Sequence, residues 1–218
     1  MATTASSAQP EVALIRRIQL GDELAFDRLV ELYSTRVFNL AFRMLGNAED
    51  AHDAAQDAFL RVYDALPRFR GDATFSTWLY RIVVNVCHDE LNRRKRRPPT
   101  LTELEPAHDD DLPTPTELLT TGETAEDAVL RQERGRVLHA AIAGLPMPFR
   151  EVLVLYDLQG FSYEEIAGIL RVNLGTVKSR LNRARNYLRE KIYPQRELFG
   201  IADSPNNNGG SQAAKGHQ

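Results

Sequence analysis

The sequence predicts an all-α protein of two small helical domains, a bundle and a helix-turn-helix, joined by a flexible acidic linker. Three observations carry this. Apolar residues recur at helical spacing from Pro10 to Arg97 and again from about Ala125 to Tyr193, with few of the period-two alternations that strands need. Between these stretches, residues 98–125 hold Pro98, Pro99, Pro106, Pro113 and Pro115, a loop too long for the inside of one compact domain. Charge is segregated in the same way. Residues 98–130 carry 9 Asp/Glu and no Lys/Arg, whereas residues 131–195 carry 11 Lys/Arg against 6 Asp/Glu.

The elements follow in order. Residues 1–9 are small and polar and read as a disordered start. The first domain, residues 10–97, begins with a helix of about Glu11–Leu20 that stops at Gly21. Asp22 can cap the next helix, which carries Leu24, Phe26, Leu29, Val30, Leu32, Tyr33, Val37, Leu40, Ala41 and Met44 at helical spacings and ends at Gly46-Asn47. A third helix spans about Ala48–Leu66. Pro67 and Gly71 bracket a loop, and a fourth helix covers about Ser76–Arg94. After the linker, a helix over about Ala125–Ala143 stops at Gly144 and Pro146, and three more complete a second domain over residues 126–195. Residues 196–218 end in an Asn-, Gly-, Ser- and Gln-rich tail with the composition of a disordered segment.

The net charge of −3 over 218 residues hides a basic block behind an acidic one, and local fields decide whether a surface meets phosphate. No apolar run spans a bilayer and no secretory signal is visible. Cys87 is the only cysteine, which excludes an internal disulfide and fits a reducing, cytoplasmic setting. The five histidines lack metal-ligand spacing, so neither metal nor cofactor is expected. No phosphate loop, nucleophile elbow or zinc-protease motif is present, and an enzyme is not expected.

Phe161–Leu188 carries the strongest local pattern. Ser162 and Glu165 form a capping box, a turn at Arg171-Val172-Asn173 follows, and Asn173 can cap a second helix. In that helix Val177, Leu181, Ala184 and Leu188 share one narrow face. Ser179, Asn182, Arg183 and Asn186 lie opposite, flanked by Lys178, Arg185 and Arg189. Such a helix can dock by its apolar face while amides and guanidinium groups reach bases and phosphates in a major groove. The plainer alternative is a solvated amphipathic helix in a bundle.

Two polar stripes in the first domain exceed what its fold requires. In the third helix Asp50, Asp53, Asp57 and Asp64 line up opposite the buried alanines. Four aspartates on one face repel one another and are weak helix formers, so a basic partner surface accounts for them better than solvent alone. In the fourth helix Arg81, Asn85, His88 and Asn92 share a face bordered by Trp78, with Phe69–Phe75 as an aromatic, Gly-containing loop before it. Rings beside amides and cations suit unstacked bases of a single strand. Core packing is the alternative for Phe75 and Trp78.

Together these motifs resemble one family. Glu49–Leu60, Phe69–Asn85, Leu145-Pro146 with Arg150-Glu151-Val152, Gly160–Ala167 and Gly175–Arg185 resemble, in order and spacing, the extracytoplasmic-function sigma factors of bacterial RNA polymerase. The resemblance implies a region 2-like bundle and a region 4-like helix-turn-helix in a non-catalytic specificity subunit that directs promoter recognition and melting. It implies that Asp50, Asp53, Gln56, Asp57, Phe59 and Leu60 bind the polymerase β′ clamp. It assigns Phe69, Arg70, Gly71, Asp72, Phe75, Trp78, Arg81, Asn85, His88 and Asn92 to a melted minus-10 element with a flipped base. It assigns Gly175, Thr176, Lys178, Ser179, Arg180, Asn182, Arg183 and Asn186 to the double-stranded minus-35 element. Further partners implied are the β flap and an anti-sigma factor, membrane-bound or soluble. The linker would thread the polymerase interior as a phosphate-chain mimic. A free-standing transcription regulator would account for residues 145–190 and leave the aspartate stripe and the Phe69–Asn85 segment unexplained.

Overall fold

The computed structural model describes residues 8–96 and 125–200; the expected linker and most of the expected tail lie outside the described residues. Among the described residues all regular structure is helical, in two domains. The first holds α1 (Ala8–Gln19), α2 (Glu23–Leu45), α3 (Ala48–Ala65) and α4 (Phe75–Arg96). The second holds α5 (Ala125–Ala143), α6 (Met147–Leu153), α7 (Tyr163–Leu170) and α8 (Leu174–Ile192). Two boundaries differ from expectation. Helix α1 begins at Ala8, inside the segment read as disordered. Beyond α8, 3₁₀ turns over Tyr193–Phe199 carry helical structure past residue 195.

Local chemistry sets the ends of the helices. Asp22 accepts the Ala25 amide at 3.1 Å and starts α2, and Arg17 steadies that cap with an Nε contact of 2.9 Å to Asp22. Gly46 ends α2 with φ +89°, and its N–H donates to Phe42 O at 2.8 Å. A side chain there would be strained, so glycine terminates the helix at little cost. Asn47 then accepts the Asp50 amide at 2.8 Å and starts α3.

Packing follows the apolar stripes. Leu29, Val37, Leu40, Phe42 and Met44 of α2 meet Ala51, Ala54, Ala58 and Val62 of α3 and Leu79 and Val83 of α4, all buried. Each fully buried large side chain contributes about 1.5–3 kcal/mol, and the small alanines of α3 let it approach α2 closely. The second domain is thinner. Val152, Leu153, Leu155, Ile166, Ile169, Val177 and Leu181 form its core. A π-helical segment, Val154–Leu158, follows α6 and turns the chain toward α7.

The two domains are packed together. Helix α4 runs beside α7, with Tyr80 donating to Gln159 Oε1 at 3.2 Å and its ring edge-on to Phe161, centroids 4.8 Å apart. Phe42 stacks on His139 of α5 at 4.5 Å. Arg150 of α6 donates to Met44 O at the end of α2 (2.5 Å), to Leu145 O (3.0 Å) and to Ala143 O. One guanidinium thereby satisfies carbonyls from both domains, which helix ends otherwise leave open.

Candidate polymerase and nucleic-acid interfaces

On α3, Asp53, Gln56 and Asp57 are exposed, Leu60 is 58% exposed, and Phe59 is half-buried against the core. These form one surface. Asp50 stands apart: its carboxylate pairs with Arg94 of α4 and accepts from Asn47 Nδ2 at 2.9 Å. A groove between α3 and α4 is walled by Asp53, Asp57, Asp89 and Glu90, with Arg61 reaching Asp89 at 2.9 Å. Its acidity is thus contributed by both helices, which a reading of α3 alone does not reveal.

The Phe69–Thr74 loop lies beside α4. Phe69, Phe75 and Trp78 form a three-ring cluster with centroids 5.0–5.9 Å apart. Phe75 is buried, the core-packing alternative, while Phe69 and Trp78 are half-buried with part of each ring open. Arg70, Gly71 and Asp72 are exposed, and Gly71 has φ +78°, a conformation that lets the loop reverse. Gln19 of α1 pins the loop base by donating to Leu66 O (3.3 Å) and Phe69 O (3.0 Å). Thr74 starts α4 by accepting the Thr77 amide at 3.2 Å. Asn85 and Asn92 are exposed and Arg81 half-exposed along the outer side of α4. His88 leaves this stripe: its Nε2 lies 2.9 Å from Oε2 of Glu151 in the other domain.

In the helix-turn-helix both sequence-predicted caps are present. Ser162 and Glu165 exchange their capping bonds, and Asn173 accepts the Thr176 amide at 2.7 Å. The Thr176 hydroxyl also donates to Asn173 Oδ1, at 2.9 Å. Gly175 sits close to that cap, so a side chain there would crowd Asn173 Oδ1 at 3.3 Å. Lys178, Ser179, Asn182, Arg183 and Asn186 are exposed on α8, opposite buried Val177, Leu181 and Ala184. Arg180 is directed inward, its Nη1 3.0 Å from Oε1 of Glu151.

Sequence reasoning missed a second feature here. Tyr156 and Tyr163 stack at 4.9 Å, Lys178 lies 5.9 Å over Tyr163, and Arg185 lies 5.3 Å over Tyr156. Arg185 also grips Asp157 through Nε at 3.2 Å and Nη2 at 2.5 Å, and this hydrogen bond raises the Arg185 pKa further. Two cations of α8 are therefore pre-positioned on rings. The signal was present as tyrosines flanking the turn before α7.

The sequence pattern assigns Arg150 and Glu151 no role of their own. Glu151 is 5% exposed, and a buried carboxylate requires partners. A charged pair interrupting an apolar run was the available clue. Burial also pushes the Arg150 guanidinium below its ordinary pKa. Among the described residues no cluster of three potential metal ligands occurs, and no helix is long and apolar enough to cross a membrane.

Comparison with known proteins fits this geometry. Residues 29–97 match the family model for Sigma-70 region 2, and residues 135–188 match that for Sigma-70, region 4. The chain is 40% identical over 181 residues to the RNA polymerase sigma-H factor of Pseudomonas aeruginosa, covering 83% of this chain and 93% of that relative. It is 36% identical over 178 residues to the ECF RNA polymerase sigma factor SigW of Bacillus subtilis, covering 82% and 94%. Among solved structures, CnrH in complex with the cytosolic domain of CnrY is similar, with a TM-score of 0.61, 25% identity, and 85% and 99% of the two chains covered. The two polar surfaces on the first domain, the capped helix-turn-helix and these matches agree: the chain belongs to the sigma-70 family and, within it, to the extracytoplasmic-function sigma factors, transcription-initiation specificity subunits of RNA polymerase.

Proposed function

We propose that this sigma factor divides its work among three surfaces. The exposed α3 face of Asp53, Gln56, Asp57 and Leu60 binds the basic coiled coil of the β′ clamp, with Asp50 orienting the helix through Arg94. The Phe69–Thr74 loop, Trp78, Arg81, Asn85 and Asn92 take the melted minus-10 strand. Rings replace lost base stacking and the amides read a flipped base. Lys178, Ser179, Asn182, Arg183 and Asn186 read the minus-35 duplex in the major groove, while the second domain meets the β flap. The single observation that carries this reading is the pairing of an exposed acidic α3 face with an open amide-and-ring stripe on α4 in one domain. A free-standing duplex reader needs neither.

A cytoplasmic site of action follows from these partners. An anti-sigma factor is a further proposed partner, supported by the similarity to CnrH, a protein solved with CnrY.

Reconstitution with core polymerase, followed by mapping of transcript start sites, tests the proposal. The wild-type chain is expected to direct initiation from a defined promoter class. Asp53→Arg with Asp57→Arg is expected to abolish polymerase binding with an unchanged helical spectrum. Asn85→Ala is expected to impair minus-10 discrimination more than polymerase affinity. Polymerase affinity that survives the charge reversals would overturn the α3 assignment. Tight sequence-specific duplex binding by the isolated chain would favour a polymerase-independent regulator.

A further inference from the structure

Helix α1 lies before the stretch that matches Sigma-70 region 2, which begins at Leu29. Its two ends nevertheless reach the ring cluster of Phe69, Phe75 and Trp78 by separate routes. Near its start, Glu11 accepts the Tyr33 hydroxyl at 2.7 Å. The buried Tyr33 ring stands edge-on to Phe75, with centroids 5.4 Å apart. At its last residue, the Gln19 amide nitrogen donates to Leu66 O at 3.3 Å and to Phe69 O at 3.0 Å. The Phe69 ring in turn lies 5.0 Å from Trp78 and 5.9 Å from Phe75.

The place of the Gln19 bonds gives them their leverage. The 3₁₀ turn Leu66–Arg68 ends at Phe69, whose φ of −67° and ψ of 119° send the chain out into the loop. Leu66 O already accepts the Phe69 amide at 3.0 Å, so Gln19 grips the turn at both of its ends. A carboxamide nitrogen carries two hydrogens in one plane, which suits two carbonyls at once. Gln19 itself is exposed and takes no part in the core. Helix α1 is anchored beside it by buried Ile15 and Ile18, and its turn into α2 is held by Arg17 on Asp22. A fixed helix therefore presents one polar side chain to the base of the loop.

We infer that Gln19 is a positioning residue for minus-10 recognition: by holding the Phe69 carbonyl it sets where the Phe69 ring and the loop stand against Trp78, and so which base the loop accepts. This role rests on the proposed assignment of Phe69–Thr74 and Asn85 to the melted strand. Gln19 acts through Phe69 and touches no base. Ordering the loop before the strand arrives lowers the entropy lost on binding, and the base that the loop encloses gains most.

Trp78 is the single tryptophan of the chain, so its emission reports on the ring cluster without a label. Gln19→Glu keeps the size of the side chain and replaces the donating nitrogen by an oxygen facing two carbonyls. Gln19→Lys restores a donor on a long side chain. The full-length variants are compared as free chains by Trp78 emission. After assembly with core polymerase they are compared by binding of a single-stranded minus-10 oligonucleotide from the mapped promoter class, and of the same strand substituted one base at a time. Gln19→Glu is expected to shift the Trp78 emission and to lower discrimination at the loop-held base about tenfold, the scale of two neutral hydrogen bonds. Polymerase affinity and the helical spectrum should not change. Gln19→Lys is expected to recover most of the discrimination. Wild-type discrimination in Gln19→Glu overturns the inference. So does a loss shared equally by the Glu and Lys variants, or one spread evenly over every base and over polymerase affinity, which would leave Gln19 a purely structural residue. If the wild-type holoenzyme itself ignores the minus-10 sequence, the proposed reading of the α4 surface fails, and the role of Gln19 with it.

Discussion

Helices α4 and α8 both carry polar faces that we propose meet nucleic acid, yet they are held in opposite ways. Helix α4 is packed on two sides: Leu79, Val83 and Val86 lie in the core, and Tyr80 and Thr77 meet the other domain at Gln159, Phe161 and Gly168. The strip of Trp78, Arg81, Asn85 and Asn92 is left open, beside the exposed Asp89 and Arg93. Helix α8 buries the single line Val177, Leu181 and Ala184, and the rest of its circumference is half-open or exposed. Its position depends heavily on polar contacts: Asn173 at the cap, Arg180 on Glu151, Arg185 on Asp157. The difference teaches that α4 is fixed by packing. Helix α8 is fixed in larger part by bonds that a phosphate can compete for.

Leu79→Ala should produce the largest effect. Leu79 is fully buried, and truncation removes its transfer energy and leaves a cavity, together about 2–5 kcal/mol. The denaturation midpoint of the full chain reports it. Leu181→Ala removes the same atoms from a thinner core that can collapse around the loss, so its cost should fall at the lower end of that range. Equal losses would break the contrast between the helices. Next in size is Arg150→Met. It strands acceptors at Met44, Ala143 and Leu145, and unsatisfied buried groups cost about 1–3 kcal/mol. The expected midpoint shift should be accompanied by easier domain separation, read from solution scattering.

The same contrast explains what the sequence disclosed. Periodicity locates α2, α3 and α4 because their positions are set by side chains a few residues apart, and Asp22, Asn47, Ser162 and Asn173 act as the caps their types suggest. The outward placement of Asp53, Asn85 and Arg183 follows from the same 100° step. Pairings between distant helices have no such period. Nothing near His88 announces Glu151, 63 positions away, and nothing near Asp50 announces Arg94. Hence His88 and Arg180 share a face with their helical neighbours on a wheel, while in the fold both turn toward one carboxylate.

A pH-dependent change should be smaller and should locate the packed side of the contrast. His139 is buried against Phe42, its Nε2 unpartnered among the described residues. Burial first, and the nearby Arg43 and Arg150 charges, lower its pKa, against a hydrogen bond to the Gly46 backbone that raises it. The sign is fixed by that direction. The folded chain favours neutral His139, so stability is undiminished above the ordinary value near 6.5. It is lost as pH falls below that value, because the unfolded chain then binds the proton more readily. Comparing midpoints at pH 7.5 and 5.5 should show a larger loss in the wild type than in His139→Phe. Equal losses would assign the acid sensitivity to carboxylates elsewhere.

The smallest effect should have the opposite sign. Arg171 ends α7 in the left-handed region, φ 53° and ψ 47°, with its N–H donating to Ala167 O. It is the only non-glycine residue with positive φ among those described. A Cβ in that region costs roughly 1–2 kcal/mol, and glycine removes the cost while surrendering part of it to greater freedom in the unfolded chain. Arg171→Gly should therefore stabilise the second domain by about 0.5–1 kcal/mol. It also removes an exposed cation beside α8. A gain in denaturation midpoint with an unchanged salt dependence of minus-35 binding would mean that Arg171 serves only the turn. A gain accompanied by a shallower salt slope would add its guanidinium to the phosphate contacts, and with it one more polar bond holding α8 in place where α4 relies on packing.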